Sequence, residues 1–304
     1  MIFHIFAAPY YVSMKVTGFT FVRNAVRFDY PVTEAIRSIL PLCDEVVVSV
    51  GNCDDGTLEL IRSIGSPKIR IFHSEWDDNI RAGGRVLAVE TDKALEHISR
   101  DTTWAFYIQA DEVVHESDLP LIRAAMERYS NDDQVEGLLF RYRHFYGSYD
   151  YVGDSRIWYN HEIRVIRYNP GIRSYRDAQG FRLQGRKLRV KPVDAYMYHY
   201  GWVKNPEEQA RKWINSTSLY HGNNHHLMTR ISSTEKFDYS EVDSLERFSG
   251  KHPMVMLDRI NRKNWQFEHD ISRKQFKNIK RKLLYWVEKR FGVRLWDYRN
   301  YKII

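Results

Sequence analysis

The chain reads as a doubly wound α/β fold, and three features of the sequence predict it. Short apolar runs alternate with amphipathic stretches of helical period from Lys15 to Val114. One apolar run, Trp104 to Ala110, ends abruptly in the two acids Asp111 and Glu112. After a helical stretch at Leu119–Tyr129 the pattern changes to alternating strands broken by turn residues.

Taken in order, Val16–Val22 is a buried strand, and Pro31 to Leu40 is a helix whose first turn carries the proline. Glu45–Val50 is a valine-rich second strand. Asp54-Asp55-Gly56-Thr57 then leads into Leu58, Leu60, Ile61 and Ile64, a short helix that Gly65 can stop. Lys68 to Phe72 is the third strand and Arg81 to Ile98 the next helix, which delivers the chain to the run at Trp104. Strands alternating with helices pair in parallel through right-handed crossovers, giving a mostly parallel sheet with helices on both faces. Ligands of such sheets bind beyond the carboxyl ends of the strands, here near Asn24, Asn52 to Asp55, and Asp111-Glu112. Gly137 to Phe145, Glu162 to Arg167 and Lys187 to Val190 are the later strands, with a turn at Asn169-Pro170-Gly171. A helix opens near Pro206, and a basic helix over 272–291 is the last. The predicted organisation is a leader at 1–14, a nucleotide half at 15–114, an acceptor half at 115–203, and a helical extension at 204–304.

Composition narrows the function classes. Lys and Arg outnumber Asp and Glu by 46 to 39, a net charge of +7 that favours anionic partners such as nucleotide phosphates, nucleic acid or an acidic membrane surface. Cys43 and Cys53 are the two cysteines, too few for a disulfide scaffold or a cysteine-rich metal site, and they suit a cytoplasmic setting. No apolar run is long enough to span a bilayer, and Met1 to Ser13 lacks the basic flank of a secretory signal. No Ser-His-Asp or Cys-His arrangement is visible, and nothing pairs His144, His161, His221, His225 and His226 with cysteines as zinc requires. These histidines read as satisfied surface or loop residues. The aromatic share of 14% supplies rings of the kind that hold sugars as well as rings for the core.

The acids that end the strand at Ala110 are the strongest chemical signal. A hard divalent cation takes oxygen ligands and can bridge a carboxylate to a diphosphate. Gly83-Gly84 between Arg81 and Arg85 adds a soft loop with guanidinium groups, suited to close approach of a diphosphate.

Together these segments resemble glycosyltransferase family 2, whose members have the GT-A fold. Asp111 falls on the last acid of that family's Asp-x-Asp motif, with Glu112 following, and Asp55-Gly56-Thr57 matches the element after the second strand. Asn24 matches the Asn closing the first strand, and His199-Tyr200-Gly201-Trp202 is similar to the family's late His segment. Gln109-Ala110-Asp111-Glu112, with His144 to Ser148, looks closest to a bacterial subgroup. The likeness spans about Lys15 to Val203. It implies a nucleotide-sugar donor held by Val22, Arg23, Asn24, Asn52, Asp54, Asp55, Arg81, Gly84, Arg85, Gln109 and Asp111. It also implies a Mn2+ or Mg2+ ion on Asp111 and His199, and inverting transfer by direct displacement. Asp177, with Glu162 as its rival, is the implied base. Two departures stand out: Gln109 replaces the first acid of the motif, and Val50 replaces the acid that helps hold the nucleotide base.

The acceptor expected on this resemblance is a glycan, a lipid-linked sugar or a protein. The last helix carries Phe276, Ile279, Leu283, Trp286 or Val287, and Phe291 on one side among lysines and arginines, a pattern that can lie on an anionic membrane at its inner face. The alternative is a helix packed on the domain with its cations solvated. Two other readings of the chain stand beside the transferase: a non-catalytic relative that binds nucleotide or glycan, and a basic nucleic-acid-binding protein, for which no recognition motif is present.

Overall fold

A computed structural model describes residues 14–80, 82–222 and 224–304; the leader residues Met1 to Ser13, and Arg81 of the proposed diphosphate loop, lie outside the described residues. The first half runs β1 (Val16–Val22), α1 (Val32–Ile39), β2 (Glu45–Val50), α2 (Thr57–Arg62), β3 (Ile69–His73), α3 (Arg85–Glu96) and β4 (Trp104–Tyr107). These strands pair in parallel in the order β3-β2-β1-β4. Alternation along each strand feeds two cores: Val46, Val48, Trp104 and Phe106 join Ile36 and Ile39 of α1 on one face, while Val47, Ala105 and Tyr107 join Ala94 and Leu95 of α3 on the other. The doubly wound α/β arrangement is therefore present as expected.

The second half continues with β5 (Glu112–Val114), α4 (Leu119–Tyr129), β6 (Gly137–Tyr146), β7 (Ser148–Gly153), β8 (His161–Arg167), β9 (Ile172–Tyr175), β10 (Gly180–Leu183), β11 (Arg186–Lys187) and β12 (Arg189–Trp202). The chain then forms α5 (Pro206–His221), α6 (His225–Ser232), β13 (Leu245–Arg247), α7 (Leu257–Asn261), α8 (Ile279–Phe291) and β14 (Lys302–Ile303). Beyond β4 the sheet extends through antiparallel β8, β6, β7 and β13. β12 lies parallel to β6 and antiparallel to β5, so His199 stands opposite both His144 and Glu112.

Several boundaries differ from expectation. The helix expected from Arg81 begins at Arg85, because Gly83 and Gly84 take left-handed φ values of 60° and 71°. The strand expected to reach Ala110 stops at Tyr107, where a turn closes from the Glu112 amide to the Gln109 carbonyl at 3.1 Å. The short strand expected at Lys187 to Val190 is split, since Lys187 ends β11 and Arg189 opens β12, 14 residues long. The basic helix expected from Ser272 starts at Ile279, where the Asn278 side chain accepts from the Arg281 amide. The extension after Val203 is helical only in part, since β13 pairs with β7 and β14 with β12. Among the described residues no helix is long and apolar enough to cross a membrane.

Candidate functional site

A cleft of about 700 Å³ opens beyond the carboxyl ends of β1, β3 and β4, closed on its far side by α5. Val22, Arg23 and Asn24 line it from the end of β1, Trp76 from beyond β3, and Gln109 to Asp111 from beyond β4. His199 and Trp202 enter from β12, and α5 contributes Gln209, Lys212 and Trp213 and then every residue from Asn215 to His221.

The floor is a cluster of paired charges. Asp111 accepts from Lys212 Nζ at 2.9 Å and lies 3.7 Å from His199 Nε2. Burial pushes its carboxyl up, but the Lys212 ammonium beside it outweighs that and holds it well below the usual carboxylate range. Lys212 also donates to the Gly201 carbonyl at 2.6 Å and sits 5.0 Å over the ring of Tyr30. Gly201 has to be glycine here: a Cβ on it would stand 2.6 Å from Asp111 Oδ2 and 2.7 Å from the His199 ring. Lys204, buried beside this cluster, bonds the Asp29 carbonyl, and burial with Lys212 nearby lowers its ammonium to about 7.

The histidine tautomers follow from the hydrogen bonds. His144 Nε2 donates to the Tyr159 carbonyl at 2.8 Å, and burial with His199 close by keeps the ring neutral, so its Nδ1 carries a lone pair. That lone pair accepts from His199 Nδ1 at 3.2 Å. His199 Nε2 is left unprotonated and turned toward Asp111. His144 is thus a buried positioning residue rather than the surface or loop histidine expected.

Glu112 faces away from the cleft and is fully buried. Arg164 grips both of its oxygens at 2.8 Å, Tyr142 donates to it at 2.6 Å, and its Oε2 accepts from the Gln109 amide at 3.1 Å. The second acid of the strand end therefore anchors the turn that presents Asp111. Gln109 does line the cleft, but its side-chain amide donates to Tyr107 and to the Ala178 carbonyl, both at 3.4 Å.

The wall from β1 to β3, together with Gln209 of α5, is different in kind. Arg23 Nε, Asn24 Oδ1, Trp76 Nε1 and Gln209 Oε1 are buried and lack a hydrogen-bond partner among the described residues. Asn24 holds a left-handed φ of 53°, and Arg23 lies 5.5 Å over Trp76. Buried polar atoms in folded proteins nearly always have partners, so four orphans in one cleft mark where a polar ligand completes them.

Other expected residues fall outside the lining. Asp55 caps α2 by accepting from the Thr57 amide and hydroxyl, and it braces the loop after β1 by accepting from the Arg27 amide at 2.7 Å. Asp54 pairs with Arg27 on the surface, and Asn52 accepts from the Trp76 amide. These three support the wall from behind. Arg85 is exposed at the start of α3, whereas Gly84 packs against Asp177 and Tyr220, where a Cβ would approach within 2.8 Å. Asp177 accepts from the Tyr220 hydroxyl at 2.7 Å, which ties it to the cleft rim. Glu162 is buried away from the cleft with Oε2 unpartnered, and burial, opposed by Arg164, raises its carboxyl to about 8. Lys212, Trp76, Gln209, Trp213 and Tyr220 were not among the expected site residues. Of the α5 members, Gln209, Lys212, Trp213, Ser216 and Tyr220 fall at helical spacing, a signal that the sequence does carry.

Among the described residues no group of three or more His, Cys, Asp or Glu could hold a metal ion. The structure brings Asp111 and His199 together as expected, but the third member of the group is an ammonium. That donor set does not fit a resident divalent cation, because Lys212 already occupies Asp111 Oδ2 and repels a second positive charge.

No protein-family model matches the chain, and no curated protein matches it. Solved structures that resemble it include TarS of S. aureus, 17% identical over 67% of this chain and 39% of that one, with a TM-score of 0.39. The 1–349 fragment of TarS in complex with UDP is 16% identical over 68% of this chain and 65% of that one, TM-score 0.39. Glucosyl-3-phosphoglycerate synthase of Mycobacterium tuberculosis with Mn2+, UDP and phosphoglyceric acid is 18% identical over 44% of each chain, TM-score 0.29. The chain thus spans well under half of TarS and about two thirds of its fragment. Likeness this slight carries no activity across, and a functional reading rests on the cleft.

Proposed function

We propose that the chain is a GT-A-type glycosyltransferase that moves a sugar from a nucleotide-diphosphate donor to a hydroxyl acceptor on a glycan, a lipid-linked sugar or a protein. One observation carries the reading: the buried Asp111–Lys212 pair forms the floor of a cleft whose lining holds four polar atoms unpartnered among the described residues. A nucleoside offers donors and acceptors for those atoms. A diphosphate is an anion that suits Lys212, with Arg23 and Arg27 also on the lining.

In this reading Asp111 works through Lys212 rather than against the phosphates, because an ionised carboxylate repels a diphosphate directly. It fixes the ammonium where negative charge grows as the bond between the anomeric carbon and the diphosphate oxygen breaks. The acceptor oxygen forms its new bond from the opposite face of the sugar, and its proton passes to Asp177. Glu162 is the weaker base, since a carboxyl with a pKa raised to about 8 stays protonated at neutral pH and does not face the cleft. Trp202 and Trp213 line the opening and present the apolar faces that sugars pack on.

Calorimetry with UDP, GDP and TDP tests the reading. One of the three binds the wild type, Lys212→Met weakens it by at least tenfold, and excess chelator leaves binding and turnover unchanged. Absence of binding by all three nucleotides overturns the reading, and activity lost in chelator overturns the role given to Lys212.

A further inference from the structure

The last helix presents a face that the other described residues leave exposed. Ile279, Leu283 and Trp286 recur at the spacing of one helical stripe and are 84%, 57% and 56% exposed. Phe291, the last residue of α8, borders the stripe with its ring 5.8 Å from that of Trp286, and Trp296 follows, 83% exposed. The opposite face of α8 is anchored. Tyr285 donates to Asp154 at 2.8 Å, Lys289 lies 3.3 Å from the same carboxylate, and Phe276 packs on the Tyr285 ring with centroids 4.9 Å apart. Val287 is half-buried, so Trp286 is the outward residue of that pair.

Charge is sorted in the same way. Glu288 is the sole acid of α8, and it is consumed inward by Arg156 at 3.0 Å and Arg294 at 3.8 Å. Lys280, Lys282 and Arg290 are exposed and make no ion pair among the described residues. The outward face is therefore apolar, aromatic and purely cationic.

Trp296 adds a second, independent observation. It holds a left-handed φ of 53°, which is costly for a bulky residue, yet its indole makes little use of the protein. The turn is not loose: Arg156 donates to the Leu295 carbonyl at 2.6 Å, and Arg294 pairs with Asp297 at 3.3 Å. The strain is held from both sides and keeps the ring in solvent.

We propose that this face docks on an anionic lipid bilayer, with α8 lying in the interface. Ile279, Leu283, Trp286, Phe291 and Trp296 enter the boundary between headgroups and acyl chains, while Lys280, Lys282 and Arg290 meet the anionic headgroups. A polyanion such as nucleic acid satisfies the cations but leaves Ile279 and Leu283 without a counterpart, so the bilayer is the occupant that uses both sets. The inference stands apart from the reading of the cleft.

The test uses the full chain with vesicles of phosphatidylcholine alone and of phosphatidylcholine mixed with phosphatidylglycerol, read by co-sedimentation and by indole emission. Binding to the mixed vesicles alone is expected, with a blue-shifted emission, and it weakens as salt is raised. Trp286→Ala with Trp296→Ala lowers partitioning about tenfold or more and removes the shift. Lys280→Gln, Lys282→Gln and Arg290→Gln together lower it roughly a hundredfold, because each cation near such a surface contributes on the order of 1 kcal/mol. All five positions are exposed, so melting temperature is unchanged. No binding to anionic vesicles at low salt overturns the proposal, as does binding that both sets of substitutions leave intact. It is equally overturned if the tryptophan substitutions dissolve a dimer without affecting vesicles, or if an oligonucleotide displaces the vesicles completely.

Discussion

The floor of the cleft and its wall are built on opposite principles. On the floor, Asp111, Lys212, His199 and His144 form a chain of bonds and contacts that is complete before any ligand arrives. On the wall, Arg23, Asn24 and Trp76, with Gln209 of α5, keep buried polar atoms unpaired among the described residues. A preorganised charge is what a transition state with growing negative charge requires, and unsatisfied donors and acceptors are what ground-state recognition requires. The contrast assigns chemistry to the floor and binding to the wall, and substitutions separate the two.

The largest effect is expected at Asp111. Asp111→Asn releases Lys212 and removes the charge that orients it, so turnover falls on the order of a hundredfold to a thousandfold, the scale of losing one preorganised electrostatic partner. Circular dichroism confirms the unchanged fold, and wild-type turnover in the variant breaks the division between floor and wall. Gly201→Ala comes next. Its methyl group displaces Asp111 or the His199 ring, and kcat falls without the removal of any polar atom.

The wall supplies the sharper half of the comparison. Gln209→Leu and Asn24→Ala raise KM for the donor about tenfold, near 1.4 kcal/mol, and leave kcat within about a factor of two. A loss confined to kcat places these residues in the chemistry instead. The base assignment is tested by a pair: Asp177→Asn lowers kcat by about a hundredfold or more, while Glu162→Gln retains most activity.

The smallest effect is on stability against pH. Glu162 has a pKa raised from 4.5 to about 8, so the folded state binds the extra proton between those values. The stability it contributes is fully present below about pH 4.5 and is lost as pH rises through about 8. Glu162→Gln keeps the neutral shape and removes that dependence. Denaturation of the two proteins at pH 5 and pH 9 is expected to show the wild type losing a few kcal/mol more than the variant; parallel curves contradict the raised pKa.

The parallel half was readable because each of its elements follows a local rule. Valines at Val46, Val47, Val48 and Val50 and the run at Trp104 announce strands buried on both faces, and Asp111 marks a strand end where ligands gather. The later strands were harder. β12 contains Pro192 and Asp194 and still runs 14 residues, because β6 and β5 supply its pairing from distant parts of the chain. β7 and the small sheet of β9, β10 and β11 carry aromatic, charged and turn residues with no clean period.

Asp111 and Glu112 are neighbours of the same chemical type, and nothing local distinguishes the acid that serves the cleft from the one that anchors Arg164. Their difference comes from the turn between β4 and β5, which leaves Asp111 in the turn while Glu112 opens β5 opposite β12, and from which partner each then meets. Composition, apolar period and turn chemistry determined the doubly wound half, the mixed second half and the place where a ligand gathers, since these depend on short-range order. Tertiary packing decided that Lys212 of α5 fills the space beside Asp111, that His144 fixes the His199 tautomer, and that the other described residues leave the outward face of α8 exposed. Those outcomes join residues such as Asp111 and Lys212 that lie 101 positions apart, and a contact over that separation is set by the fold's overall geometry rather than by the residues flanking either partner.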